Sequence, residues 1–167
     1  MKIESLKELW VHEMKDLYSA ETQIVEALPK IIAAASHEEL KAALTEHLAE
    51  TKGHIARLER IFKGLNFPHN GHHCKGMEGL LEEGQGILEV DAEPVVRDAA
   101  IISASQRVEH YEIAGYGTAS AYAELLGENE SAALLQLTLD EESSADTKLS
   151  RLARTRINLE AMAADQS

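Results

Sequence analysis

IESLKELWVHEMKDLYSAETQIVEALPKI, residues 3–31, carries one apolar stripe with a single charged interruption. Ile3, Leu6, Trp10, Met14, Leu17, Ile24, Leu28 and Ile31 recur at intervals of three and four, the period of one face of an α-helix. Glu21 stands between Leu17 and Ile24, where that face calls for an apolar side chain. A bare carboxylate in a helical core is strongly unfavourable. Glu21 therefore needs a partner, and other segments should supply it.

The same anomaly recurs along the chain. Ser36 and Glu39 have the S-x-x-E spacing of a capping box opening a second helix, with the stripe Leu40, Leu44, Leu48, Thr51, Ile55, Leu58, Phe62, Leu65. His47, Glu50 and His54 run along its flank. Pro94 suits the first turn of a third helix, with Asp91 or Glu93 near its N-cap. Its stripe is Val95, Ala99, Ile102, Gln106, Glu109, Ile113, Tyr116, Ser120, Ala123, with Glu112 one turn beyond Glu109. Gly127 fits the position after a helix end, and Asn129 or Ser131 can cap a fourth helix. That helix carries Leu135, Thr138, Glu142, Asp146, Leu149 and Leu152, ends near Met162 and leaves AADQS to fray. Pro29 should kink the end of the first helix.

The predicted helices span about residues 3–35, 37–65, 94–126 and 129–162, in a single domain covering 1–167. NFPHNGH, residues 66–72, is the clearest break. The crossover 66–93 holds a short helix around Met77, Leu80, Leu81, Ile87 and Leu88. Connections that run short, long, short describe two antiparallel hairpins joined by one crossover, an all-α four-helix bundle of ferritin-like topology. Glu21 and Glu50 lie 29 residues apart and Glu109 and Glu142 lie 33 apart, so pseudo-twofold halves would bring all four to similar depth.

Composition narrows the function. A net charge of −13 with a pI near 5.0 and no Lys/Arg run argue against a phosphate backbone or an anionic membrane surface as partner. The one cysteine, Cys74, forms no intramolecular disulfide and fits a reducing compartment. The N-terminal stretch is charged throughout, without an apolar signal core, and no apolar run approaches a membrane span. A cytoplasmic protein is expected.

The cheapest common partner for carboxylates on four helices is a pair of metal ions at the bundle centre. His47/Glu50 and Glu109/Glu112 are i, i+3 pairs and Glu142/Asp146 an i, i+4 pair, so each pair can turn both side chains to one cluster. The forward Glu-x-x-His of di-iron bundles is absent, since Glu50 is followed at i+3 by Gly53 and Glu142 by Ala145. A carboxylate-richer set favours hard ions and should bind iron or manganese more weakly; two iron ions, or manganese in their place, are the expected pair. Glu141 competes with Glu142, because one residue of register exchanges them. Glu8, Glu13, Glu26, Glu38, Glu59 and Glu124 read as solvated, and His54 and His110 as outer groups or exposed. His69, His72, His73 and Cys74 tempt a second metal site, but they lack the spaced pairing of structural zinc and read as a solvated loop. Tyr18 and Tyr111 lie near the proposed centre in sequence.

DLYSAE (16–21), EHLAETKGHI (46–55), MEGLLEE (77–83), VEHYEIAGYGT (108–118) and DEESSADTKL (140–149) together resemble the YciE/YciF family, nearer its YciF side, over nearly the whole chain. The resemblance implies a ferritin-like, rubrerythrin-related bundle, a homodimer, an association with bacterial stress and a dimetal site of ferroxidase type. Carried onto this chain, its metal-facing positions are Glu21, His47, Glu50, Glu109, Glu112, Glu142 and Asp146. The HNGHHC loop is private to this chain, apart from the cysteine position.

Two functions compete. In the first, two ferrous ions bridged by Glu50 and Glu142 are oxidised by dioxygen or peroxide, with Glu21, Glu109 and the Asp146/His47 pair completing the set. In the second, a stress-induced helical dimer holds metals only to stabilise its fold. A DNA-protecting mini-ferritin is disfavoured by the charge and the lack of a basic arm.

Overall fold

A computed structural model describes residues 3–164. Helix α1 spans Leu6–Ala34, α2 Glu38–Leu65, α3 Lys75–Glu89, α4 Pro94–Leu125 and α5 Asn129–Leu152. A π turn over Ala153–Ile157 then leads into α6, Asn158–Ala164. The fourth long helix is thus interrupted just past Leu152, and of the AADQS tail Asp165–Ser167 lie outside the described residues. Among the described residues, no helix is long and apolar enough to cross a membrane.

The helices pack as the short–long–short connections predict. Hairpin α1–α2 meets hairpin α4–α5, with α1 against α4 and α2 against α5, while α3 lies across α1 and α4. The result is an all-α four-helix bundle whose crossover helix covers one face.

Two apolar clusters fill the bundle, one towards each end. Trp10, Met14, Leu17, Leu58, Phe62, Tyr116, Ala123 and Leu135 form one; Ile24, Leu28, Leu40, Leu44, Ile101, Ile102 and Leu149 form the other. The first joins the start of α1 to the end of α2, so these helices run antiparallel. Each fully buried Leu or Ile contributes about 2 kcal/mol, and together these side chains set the register of all four helices. At Gly115 an added Cβ would come within 2.7 Å of Leu17 Cδ2, so glycine there permits the close approach of α4 to α1.

The helix ends differ from expectation in instructive ways. The Ser36/Glu39 capping box does not form. His37 is the N-cap, with Nδ1 accepting from Glu39 N–H, while Ser36 turns to Asp98 on α4. The buried Asp98 carboxylate accepts from Ser36 N–H and His37 N–H, both at 2.8 Å, and from Ser36 Oγ–H at 2.5 Å. A long-range acceptor has displaced the local one. Pro94 opens α4 after an N-cap Glu93 that makes no side-chain cap, and α5 starts after Glu128, likewise uncapped, rather than from Asn129 or Ser131. Gly127 follows the end of α4 with φ +74°, as its position in the sequence predicts.

Candidate metal centre

Between the two apolar clusters, at mid-length, each long helix turns polar side chains inward. On α1 Glu21 separates Leu17 from Ile24. On α2 His47, Thr51 and His54 separate Leu44 from Leu58; on α4 Glu109 and Glu112 precede Tyr116; on α5 Glu142 follows Thr138. All are buried, and Glu21, His54, Glu112 and Glu142 have no exposed surface.

The ligand atoms converge in two groups, His47/Glu109/Glu112/Glu142 and Glu21/His54/Glu142, each able to place one atom per residue within 4.8 Å of all the others. Glu142 belongs to both. His47 Nε2 lies 3.4 Å from Glu109 Oε1. His54 Nδ1 lies 2.9 Å from Glu142 Oε1 and 3.2 Å from Glu21 Oε1. Despite this proximity, both ring nitrogens of His47, His54 Nδ1, Glu21 Oε2, Glu109 Oε2 and both oxygens of Glu112 and Glu142 lack an aligned hydrogen bond. Buried donors and acceptors are normally paired. Lone pairs that crowd together unpaired, from carboxylates and imidazoles, have the chemistry of a cation cage, so the residues fit metal ions.

Electrostatics point the same way. Burial, with Glu142 nearby, pushes the Glu109 and Glu112 carboxyls far above their ordinary range. Burial also raises Glu21, against the pull of His54. Burial would raise Glu142 as well, but the close approach of His54 and Glu109 and the charge of His47 bring it below its usual value. His54 is pushed up to about 10: burial opposes its charge, and Glu142 and Glu21 outweigh burial. The imidazolium is a proton standing where a cation is wanted.

An outer ring orients these groups. His54 Nε2 lies 2.9 Å from Glu141 Oε2, and Arg57 grips Glu141 through its two terminal guanidinium nitrogens at 2.5 and 2.8 Å. A histidine whose far nitrogen is fixed by a carboxylate is the usual support of a metal-binding imidazole. Tyr116 donates its hydroxyl hydrogen to Glu21 Oε1 at 2.5 Å.

Of the positions expected from sequence, Glu21, His47, Glu109, Glu112 and Glu142 meet in the two groups, whereas Glu50 and Asp146 belong to neither. Glu50 sits at the rim, 27% exposed, with Oε2 at 4.0 Å from His47 Nδ1. Asp146 is engaged by Gln106 Nε2 at 2.8 Å and lies 3.4 Å from His110 Nε2. The choice between Glu141 and Glu142 falls to Glu142 as the inward residue, with Glu141 held outside by Arg57. His54 is the correction: expected outside the site, it is buried within it. The run Leu40, Leu44, His47, Thr51, His54, Leu58 is itself spaced by four and three. That signal competes with the equally regular stripe through Leu48 and Ile55, which end up only half-buried.

The tyrosines also change places. Tyr18 donates to Glu59, and Tyr111 to Asp16 at 2.6 Å; Tyr116 reaches the centre instead. The histidine-rich loop disperses. His72 pairs with Asp16 and His73 with Glu78, while His69 packs over Tyr18. Cys74 is buried, with Sγ 3.1 Å from Asp16 Oδ2 and 3.0 Å from Tyr111 Oη, and caps α3 by accepting from Met77 N–H. Among the described residues, these four side chains do not come together as one group of ligand atoms.

The fold and its buried centre define a class: helical-bundle proteins with a histidine–carboxylate cluster at mid-bundle able to hold a metal ion. Within it, the chain belongs to the family described as domain of unknown function DUF892, matched over residues 5–162. It is 42% identical over 162 residues to Protein YciF of Escherichia coli strain K12, covering 96% of this chain and 98% of that protein. The crystal structure of the E. coli stress protein YciF superposes with a TM-score of 0.90, over 93% of this chain and 99% of that one. YcfI from Rhodopseudomonas palustris follows at 43% identity and a TM-score of 0.85, over 89% and 95% of the two chains. A Xanthomonas campestris protein at 20% identity shares the fold, with a TM-score of 0.77 over 97% and 99%.

Proposed function

We propose that this chain binds two metal ions in the cluster of Glu21, His47, His54, Glu109, Glu112 and Glu142, and that it oxidises ferrous iron with dioxygen or hydrogen peroxide. One observation carries the reading: Glu142 is common to both ligand groups, so a single carboxylate would serve neighbouring ions. Likeness to a bacterial stress protein is consistent with removing reactive iron and oxidant together. Ferrous iron is then the substrate. Two ferrous ions release two electrons; dioxygen takes them with two protons and leaves as hydrogen peroxide, or hydrogen peroxide takes them with two protons and leaves as two waters.

The chain's own residues supply position, charge and exclusion of water. Glu21, Glu109, Glu112 and Glu142 offset the charge of two divalent ions and favour the harder ferric state over the ferrous. His47 and His54 contribute neutral nitrogen once deprotonated, and Glu141 holds the proton on His54 Nε2 so that Nδ1 faces inward. Tyr116 fixes one oxygen of Glu21 and leaves the other free.

Anaerobic titration of the metal-stripped protein with ferrous iron, followed by oxygen or peroxide, tests this reading. The expected outcome is two irons per chain and a ferric absorbance band, with stoichiometry and band both lost in Glu142→Gln. Iron that raises the melting temperature yet stays ferrous under both oxidants would establish the non-catalytic, structural role instead.

A further inference from the structure

One cavity in the bundle takes no part in the binding of ions proposed above. It measures about 30 Å³ and lies where α3 crosses α1 and α4. Leu80, Leu81 and Leu88 of α3 form its outer wall, and Ile24, Leu28 and Val108 are among its inner lining. Its polar lining consists of Ser105 and, at the inner end, His47 and Glu109. Those last two are ligand candidates whose His47 nitrogens and Glu109 Oε2 have no aligned hydrogen bond. The candidate centre therefore opens on one side into an almost wholly apolar space.

A space of this size admits a water-sized molecule; beyond Ser105, His47 and Glu109 its walls offer water no partner, and spaces lined by apolar side chains take up apolar gases. A second, smaller crevice of about 10 Å³ reaches the same His47 and Glu109 between α2 and α5. Glu50 and Lys148 line it, and Lys148 is paired with Glu46 at 2.8 Å. Both approaches are largely apolar in surface, but only the second carries charged side chains besides the centre's own residues. A cation or hydrogen peroxide, both strongly hydrated, suits the approach beside Glu50 and Lys148; a diatomic molecule that makes no strong hydrogen bonds loses little by leaving water for the approach under α3.

We infer that the cavity under α3 is a docking site for dioxygen, delivering it to the His47–Glu109 side of the centre apart from the route used by ions. The inference rests on the oxidase reading above. It assigns α3, the crossover helix, the task of roofing this site.

Crystals of the metal-free protein pressurised with xenon test the cavity independently of any reaction. Xenon density between Leu81, Ala104 and Val108 is expected in wild type and should vanish in Ala104→Leu and in Gly84→Leu, which fill the space from α4 and α3. In the iron-loaded protein, a variant that folds as judged by its melting curve should react about tenfold more slowly with dioxygen and at the wild-type rate with hydrogen peroxide. No xenon in wild type, or equal slowing towards both oxidants, would overturn the dioxygen site while iron oxidation itself still stood. Xenon bound beside iron that neither oxidant touches would overturn the oxidase reading and, with it, dioxygen as the occupant.

Discussion

His54 Nδ1 lies 2.9 Å from Glu142 Oε1, both side chains without exposed surface, and the contact lacks the alignment of a hydrogen bond. Two groups pressed together in this way are positioned for a third. In the proposed centre His54 is the nitrogen ligand of the Glu21 side, as His47 is of the Glu109 side. His54→Gln keeps volume and polarity but loses the imidazole. Ferrous titration should then give one iron per chain in place of two, and an unchanged stoichiometry would remove His54 from the ligand set.

Glu141 and Arg57 act one step further out. Outer partners of metal-bound histidines typically contribute about 10- to 100-fold in affinity. Glu141→Gln should weaken metal binding by about that factor while leaving the number of ions per chain unchanged, as read by competition with a chelating dye. A full loss of one ion would mean that Glu141 is itself a ligand.

The metal-free protein should become more stable as pH falls from neutral towards about 5. Glu109 and Glu112 are raised above their unfolded values by burial and by neighbouring carboxylates, so in this window the folded chain binds more protons than the unfolded one, and stability drops as pH rises. His54, raised to about 10 by its carboxylate neighbours against burial, adds in the same direction above the ordinary histidine range. His47, lowered by burial, opposes the two carboxyls below that range, one group against two. Metal-loaded protein should show the reverse slope, since ligands must shed protons to bind. Urea midpoints at pH 5.5 and 7.5, with and without divalent metal, measure both slopes; parallel slopes would exclude the cluster as the metal site.

Asp98 closes the α1–α2 connection from the other hairpin by accepting three hydrogen bonds from Ser36 and His37. Asp98→Ala leaves those donors unpaired and should destabilise by about 2–4 kcal/mol. For a domain of this size that corresponds to about 5–15 °C in melting temperature. Ser36→Ala removes one of the three and should cost about 1 kcal/mol. Equal effects of the two substitutions would show that the backbone donors contribute little.

Much of the architecture can be read along the chain because it depends on local periodicity and punctuation. The stripe from Leu6 to Leu28, Pro94 at a helix start and Gly127 after a helix end are each a property of neighbouring residues. The charged interruptions at Glu21, Glu109 and Glu142 were visible for the same reason, since a carboxylate on an apolar stripe stands out. Cap assignments failed where a distant group outbid the local one, as Asp98 did for Ser36.

By itself, then, the sequence determined the helices, their short–long–short connection and the presence of buried acid on the core-facing stripes of α1, α4 and α5, because these follow from spacing and from the unfavourable burial of charge. Only the tertiary structure decided which of two equally regular faces of α2 turns inward, and so that His54 enters the centre while Glu50 stays at its rim. It likewise set Glu142 inside and Glu141 in the grip of Arg57, put Tyr116 rather than Tyr111 on Glu21, and drew Cys74 away from its neighbouring histidines to Asp16. The reason is physical: the rotation of a helix about its axis is fixed by the packing of its neighbours, and a shift of one residue, about 100°, exchanges a ligand for a surface charge.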